Sequence, residues 1–180
     1  MICASLIVTA AVQGPRVVLD HTVPKLVIGQ QVRLRAHVVN ATGQTLDAPI
    51  AWRATSSSYI SLAADGRITG IRPGRVTIIA LAGDASARFD VEVIRNTLNW
   101  ITVTPERTEV RIGEGVRLRF EAFEQDGTAI GGLSPTWSLA PGPGTIGDDG
   151  VFVAHEPGAH VVYAHIADRI ASATIRVLPR

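Results

Sequence analysis

Apolar and polar residues alternate along most of the chain, which is the pattern of half-buried β-strands. In one such run, Val32 and Leu34 fall on one face while Arg33 and Arg35 fall on the other. Clusters of Gly, Pro, Asn and Asp separate the runs, and no stretch of useful length has helical periodicity. The predicted strands are 16–20, 25–28, 31–39, 49–54, 59–63, 67–70, 75–82, 86–94, 100–104, 109–112, 116–124, 135–139, 145–147, 151–154, 159–166 and 170–178. Short strands at this spacing predict an all-β sandwich or barrel.

The pattern occurs twice, in copies that lie 84 positions apart. The run from Val32 to Arg35 returns as Val116 to Arg119, and Asp65-Gly66 returns as Asp149-Gly150. A repeat of this length is too long for a solenoid unit and suits a small domain. The sequence therefore predicts two copies of one fold.

The chain is predicted to have three parts: an apolar N-terminal segment at 1–15, a first domain at 16–95 and a second domain at 96–180. The link from Arg95 to Asn99 is short and polar, so the domains are expected to pivot little. Trp100 follows the link directly. It either seals the junction, with Leu98 two residues earlier, or folds against the edge of its own domain.

Residues 2–12 form the longest apolar run, which is too short to span a bilayer as a helix. The run lacks the preceding basic residues of a secretory signal, although a truncated or uncleaved signal remains open. As part of the mature chain it is a strand on the first domain, a contact with the membrane surface, or a contact with a partner protein. Cys3 is the only cysteine, so neither domain has an internal disulfide. We interpret Cys3 as a small buried hydrophobe rather than a lipid-anchor site.

The charge balance is nearly neutral, with a formal net charge of +1 and 18% charged residues. So weak a field argues against nucleic acid as the main partner. Two short basic rows nevertheless point outward from the predicted strands, Arg33 with Arg35 and Arg117 with Arg119. They either meet acidic lipid headgroups or partner carboxylates, or are solvated and paired with neighbouring acids.

Candidate chemistry is sparse, and the sequence predicts a protein that is not an enzyme and has no cofactor or metal. His155, His160 and His165 recur every five residues, but odd spacing places His160 and His165 on opposite faces of a strand. We interpret the three as surface or turn residues, although alignment of this strand with Val76, Ile78 and Ala80 of the first copy turns His160, Val162 and Ala164 inward. Asp148-Asp149-Gly150 is predicted to be a hairpin turn rather than a calcium site, and Asn40-Ala41-Thr42 a turn. No nucleophile or phosphate-binding loop is recognisable.

Apolar side chains also point outward from two strands, where they need a cover. In the second copy these are Val161 and Tyr163, with His165 beside them, and in the first copy Ile79 and Leu81. The cover is a loop, the other domain or a partner, and the apolar N-terminus is a further option for the first copy. The candidate partner-binding residues are therefore Val161, Tyr163, His165, Ile79, Leu81, Trp100, Arg33, Arg35, Arg117 and Arg119.

Residues 16–94 resemble the group 2 bacterial immunoglobulin-like family. The residues that carry the resemblance are Leu26-Val27-Ile28-Gly29, Ile50-Ala51-Trp52, Ser56-Ser57-Ser58, Asp65 to Gly70, Pro73-Gly74 and Val76 to Ala80. The second copy is similar but more divergent. It keeps Ile112-Gly113, Trp137-Ser138 and Pro157-Gly158, and has Leu139 to Gly144 in place of the serine cluster.

The resemblance implies two tandem immunoglobulin-like β-sandwiches without disulfides, with Trp52 and Trp137 on the third strand packing the core. Replacing either Trp by Ala is expected to cost about 3–5 kcal/mol. The family implies a non-catalytic extracytoplasmic protein. We expect an accessory subunit that bridges or stabilises an envelope or membrane complex, for example a respiratory, photosynthetic, pilus or fibre assembly. The alternatives are an adhesin-type module that binds a host protein or carbohydrate, and a phage decoration protein.

Overall fold

A computed structural model of the protein describes residues 14–180, so the expectations for Cys3 and residues 2–12 lie outside the described residues. The described part has no helix. Its strands are β1 Arg16–Leu19, β2 Lys25–Val27, β3 Gln31–Arg33, β4 Ala36–Val39, β5 Thr45–Leu46, β6 Ala51–Ala54, β7 Ile60–Leu62, β8 Arg67–Gly70, β9 Gly74–Ala82, β10 Ala85–Ile94, β11 Trp100–Pro105, β12 Glu109–Arg111, β13 Gly115–Phe123, β14 Thr136–Leu139, β15 Gly144–Ile146, β16 Val151–Ala154, β17 Gly158–Ile166 and β18 Arg169–Leu178.

Strands β1 to β10, the first half, form two facing layers. One layer contains β1-β4-β5 and β3-β8-β7, and the other is β2-β10-β9-β6. Neighbouring strands are antiparallel except that β2 runs parallel to β10. The second half repeats the design with β11-β13-β16-β15 facing β12-β18-β17-β14, again with one parallel pair, β12 and β18.

This strand order is that of an immunoglobulin-like sandwich, and the all-β prediction is confirmed. Every strand ladder joins strands of the same half, and the bridge between Lys25 and Leu133 connects the two halves. The single cysteine excludes an internal disulfide, so packing between the sheets holds each sandwich together.

Each half has its own apolar core. The first contains Val23, Leu26, Val32, Leu34, Ile60, Ile68, Val76, Ile78, Val91 and Val93. The second contains Val110, Val116, Leu118, Phe152, Ala154, Val162, Ala173, Ile175 and Val177. Trp52 and Trp137 are half-buried and pack against these two cores, respectively.

The predicted strand boundaries hold to within two residues, with two corrections. The predicted strand 31–39 is interrupted at Leu34 and Arg35, because the chain changes its partner there from β8 to β1. The second half makes the same change within an unbroken β13. The predicted turn at Asn40-Ala41-Thr42 is also followed by a short additional strand, β5, which pairs with β4.

Candidate functional site

The structure shows an apolar cluster at the junction between the two halves. Val27 and Ile94 from the first half meet Leu98 of the connecting segment. The second half supplies Ile101, Phe120, Ala122, Ile130, Leu133, Ile166 and Ala171. Val27 is completely buried and Leu98 nearly so. Burial of one such side chain contributes about 1.5–3 kcal/mol, so separating the halves would be unfavourable.

Both polar atoms of the Gln30 side-chain amide form hydrogen bonds at the junction. Its Oε1 accepts a hydrogen bond from the backbone N–H of Val27 at 3.1 Å, which closes the turn after β2. Its Nε2 donates to the carbonyl of Ser134 in the other half at 2.8 Å. Gln30 is only 1% exposed, and a buried amide needs its partners satisfied. Its position thus depends on both halves.

Arg169 holds the connecting segment from the other side. Its Nε and Nη2 donate to the carbonyl oxygen of Leu98 at 3.4 and 3.2 Å. Nearby, Asn96 Nδ2 donates to Asp168 Oδ1 at 3.5 Å. The hairpin between β17 and β18 therefore fixes the segment that enters the second half.

Trp100 takes the second of the two predicted positions, against the edge of its own half. Its ring stacks on Phe123 with centroids 5.2 Å apart and an interplanar angle of 16°. It remains 39% exposed, and Leu98 rather than Trp100 seals the junction.

A cleft of about 460 Å³ opens beside the junction. His21, Arg33 and Arg35 line it from the first half, and Asp148 and Asp149 from the second. Arg35 Nη1 lies 3.2 Å from Asp148 Oδ2, and His21 Nδ1 lies 3.6 Å from the same oxygen. The Nδ1 atom is buried and has no hydrogen-bond partner among the described residues.

The ion pair between Arg35 and Asp148 joins the halves, although both side chains are largely solvated and such pairs contribute about 0.2–1 kcal/mol. Asp148 lies in the turn between β15 and β16, as the sequence predicts. Its partner is more than a hundred positions away in the sequence, and no local pattern indicates the pairing.

The two basic rows do not form one site. Arg117 Nη2 lies 3.9 Å from Asp149 Oδ2, within its own half. Arg119 lines a separate cleft with Glu106 and Glu121. Neither Arg33 nor Arg119 has an ion-pair partner within residues 14–180.

The outward residues of the two copies likewise stay apart. Val161, Tyr163 and His165 follow one another on the outer face of β17, all half-buried. His165 Nε2 forms a 2.8 Å hydrogen bond with Ser138 Oγ. Ile170, which the sequence reasoning did not single out, lies opposite His165 and is 64% exposed. Ile79 and Leu81 are half-buried on β9 of the other half.

His160 lies inward, as the alignment of the two copies predicts, and this corrects the general interpretation of the three histidines as surface or turn residues. It is 8% exposed, its ring centroid lies 5.5 Å from that of Phe152, and its Nε2 is 3.0 Å from the carbonyl oxygen of Glu156. The even alternation along β17 turns it inward, whereas His155 is exposed. Within residues 14–180 there is no group of three or more metal-ligand side chains, and no helix there could cross a membrane.

The sequence matches no protein-family model and no curated protein. In shape the chain is similar to domains 5–6 of the S-layer protein SbsC, with a TM-score of 0.46, 12% identity, and 92% of this chain and 99% of that chain covered. It is also similar to the adhesin InvE of Yersinia pseudotuberculosis, with a TM-score of 0.39, 11% identity, and coverages of 91% and 58%. Human protocadherin-24 EC1-2 gives a TM-score of 0.34, 12% identity, and coverages of 93% and 99%. The chain spans 27% and 31% of two longer SbsC structures. At these identities and TM-scores the likenesses assign no function.

Proposed function

We propose that the protein is a non-catalytic structural module that bridges or stabilises a larger extracytoplasmic assembly. Two immunoglobulin-like domains, 16–95 and 96–180, form one stiff body that presents surfaces at a fixed distance and orientation. The assembly belongs to the cell envelope or to a membrane complex, to which the module is peripheral. The motifs around Trp52 support membership of the group 2 bacterial immunoglobulin-like family for the first domain.

The junction is the observation that carries this proposal. Three features hold the junction: the apolar cluster, the two hydrogen bonds of the Gln30 side-chain amide, and the hydrogen bond from Arg169 to the Leu98 carbonyl oxygen. Linked domains that need to move usually have small, polar interfaces. An apolar interface with buried, satisfied hydrogen bonds instead favours a fixed relative orientation, which is useful in a spacer or a bridge.

Co-purification tests this function directly. The tagged full chain would be expressed in its native host, the envelope fraction solubilised in mild detergent, and the complex captured and quantified by mass spectrometry. We expect partner subunits in a fixed ratio to the chain. The same preparation with Gln30→Glu provides a matched control for the importance of domain orientation.

Recovery of the chain alone, as a soluble monomer outside the envelope fraction, would overturn the proposed role. Capture of glycans or host-cell proteins by the isolated chain, without co-purifying subunits, would instead indicate an adhesin.

A further inference from the structure

Trp100, which is 39% exposed, and Phe123, which is half-buried, form a ring pair with three carboxylates close to it in the chain. The two residues lie opposite each other on β11 and β13, with the rings on the outer face of the sheet. Glu121 is two residues before Phe123 on the same strand and therefore projects from the same face. On the other side, the turn after β13 reaches the indole, since a Cβ atom on Gly127 would lie 4.0 Å from Trp100 Cη2.

That turn supplies two further acids. Thr97, Glu124, Gln125 and Asp126 line a shallow cleft of about 370 Å³. Glu124 Oε1 accepts a 2.6 Å hydrogen bond from Thr97 Oγ1, which fixes the direction of the carboxylate. Asp126 accepts a hydrogen bond from the Thr128 backbone N–H, and this bond holds the pKa of Asp126 below its usual value. Asp126 is therefore anionic at neutral pH.

None of these acids is neutralised within the part of the chain that the structure describes. Glu121, Glu124 and Asp126 take part in no ion pair there. The nearest cation along the same face of β13 is Arg119, two residues beyond Glu121 and four from Phe123. The aromatic platform thus lies in a locally negative field, with Arg119 beyond it.

The internal repeat provides a control for what the fold itself requires. Eighty-four residues before Trp100 and Phe123, the same cross-strand pair consists of Arg16 and Val39. The positions that match Glu124 and Asp126 are Asn40 and Thr42. The turn is kept in both halves, but the aromatic pair and the acids occur only in the second half. Building the sandwich does not need them.

We propose that the surface formed by Trp100, Phe123, Glu121, Glu124 and Asp126 binds an arginine side chain presented by a partner protein. A guanidinium group is planar, so it stacks on the open face of an indole while its N–H groups donate to carboxylates. The inference adds a partner chemistry to the proposed bridging function, on which its biological setting rests.

The peptide acetyl-Gly-Arg-Gly-Arg-Gly-amide is titrated into the full chain, and binding is followed through the NMR signals of the backbone amides and the tryptophan indole. We expect shifts confined to Trp100, Phe123 and the turn from Glu124 to Thr128, and weaker binding as salt rises. The same peptide with citrulline in place of arginine keeps the shape but loses the charge. It should bind at least about tenfold more weakly.

Three variants complete the test. Trp100→Ala, and separately Glu124→Gln combined with Asp126→Asn, should each weaken binding at least about tenfold. Ile170→Ala removes an exposed apolar side chain elsewhere and should leave binding unchanged. A single cooperative thermal unfolding transition should confirm that each variant is folded.

Equal binding of the citrulline peptide, full binding by Trp100→Ala, or no shift up to about 10 mM peptide would overturn the proposal. Phosphocholine that binds more tightly than the arginine peptide would also overturn it, in favour of a quaternary ammonium ligand. A negative peptide result would not alter co-purification of the chain with its assembly. The two proposals therefore fail separately.

Discussion

The indole of Trp52 lies against the α-carbon of Gly66, so closely that a Cβ atom on residue 66 would stand 2.8 Å from Nε1. Trp137 and Gly150 repeat the relationship, with the corresponding Cβ 3.0 Å from Cζ2. In each half the Trp belongs to one layer and the Gly to a turn of the facing layer. The contact therefore joins the two layers, and it gives a physical reason why the Trp and the Asp-Gly turn recur together.

Gly66→Ala should be strongly destabilising. The residue has φ +82°, where a side chain is strained, and the new methyl group would also approach the Leu34 carbonyl oxygen at 2.9 Å. We expect a loss of about 2–4 kcal/mol in the free energy of unfolding, measured with urea. Gly29→Ala is the matched control, because Gly29 has φ +84° but open space around it. It should cost only the backbone strain, about 1–2 kcal/mol, and equal losses for the two variants would contradict the contact.

Trp52→Ala should destabilise the first half by about 3 kcal/mol, the lower end of the range for large aromatic side chains, because the ring is half-buried. Trp137→Ala should do the same to the second half. Calorimetry of both variants checks this, since the affected half should melt first. A variant that melts within a few degrees of the wild type would show that the ring does not pack the core.

Gln30→Glu should loosen the junction without unfolding either half. The second half already contains this arrangement, because Glu114 accepts a hydrogen bond from the backbone N–H of Arg111 just as Gln30 does from Val27. The variant keeps this bond but loses the donor to Ser134, and it buries a carboxylate at a site that is 1% exposed, whereas Glu114 is exposed. The cost across the junction should therefore exceed that of a lost neutral donor, which is about 1–3 kcal/mol.

Amide relaxation by ¹⁵N NMR should detect the loosening of the junction as two separate rotational correlation times in place of one. Gln31→Glu, which adds the same charge at an exposed neighbouring position, should tumble like the wild type. A single correlation time for Gln30→Glu would show that the amide does not fix the orientation.

Stability should fall in acid, partly through Asp65. The backbone N–H of Arg67, followed by the Arg67 guanidinium, holds the pKa of this carboxyl below its usual value. A group with a lowered folded pKa contributes stability above its unfolded pKa of about 3.9 and loses it as pH falls through the folded value. Between about pH 5 and about pH 2, the thermal unfolding temperature should thus decline less steeply for Asp65→Asn than for the wild type. If the unfolding temperatures of the two proteins fell in parallel with pH, a contribution of Asp65 to acid sensitivity would be excluded.

Local pattern was sufficient for the strands and their inward residues. The alternation from His160 to Ile166 on β17, for instance, is the observed alternation of buried and half-buried positions. It failed at Leu34 and Arg35, because a change of pairing partner depends on strands that are distant in the sequence. For His160 the strand alternation was right and the general interpretation of the histidines as surface or turn residues was wrong, because polarity was weighed above the position on the strand, which turns the ring toward Phe152.

The sequence by itself determined the all-β architecture, the turns and the inward aliphatic residues, because these follow from strand periodicity and from glycine geometry within a few residues. Only the tertiary structure decided which residues meet across the halves, Gln30 with Ser134 and Arg35 with Asp148, and that Trp100 stacks on Phe123 of its own half. The contacts across the halves depend on how two finished sandwiches pack against each other. No local pattern in the chain encodes that packing.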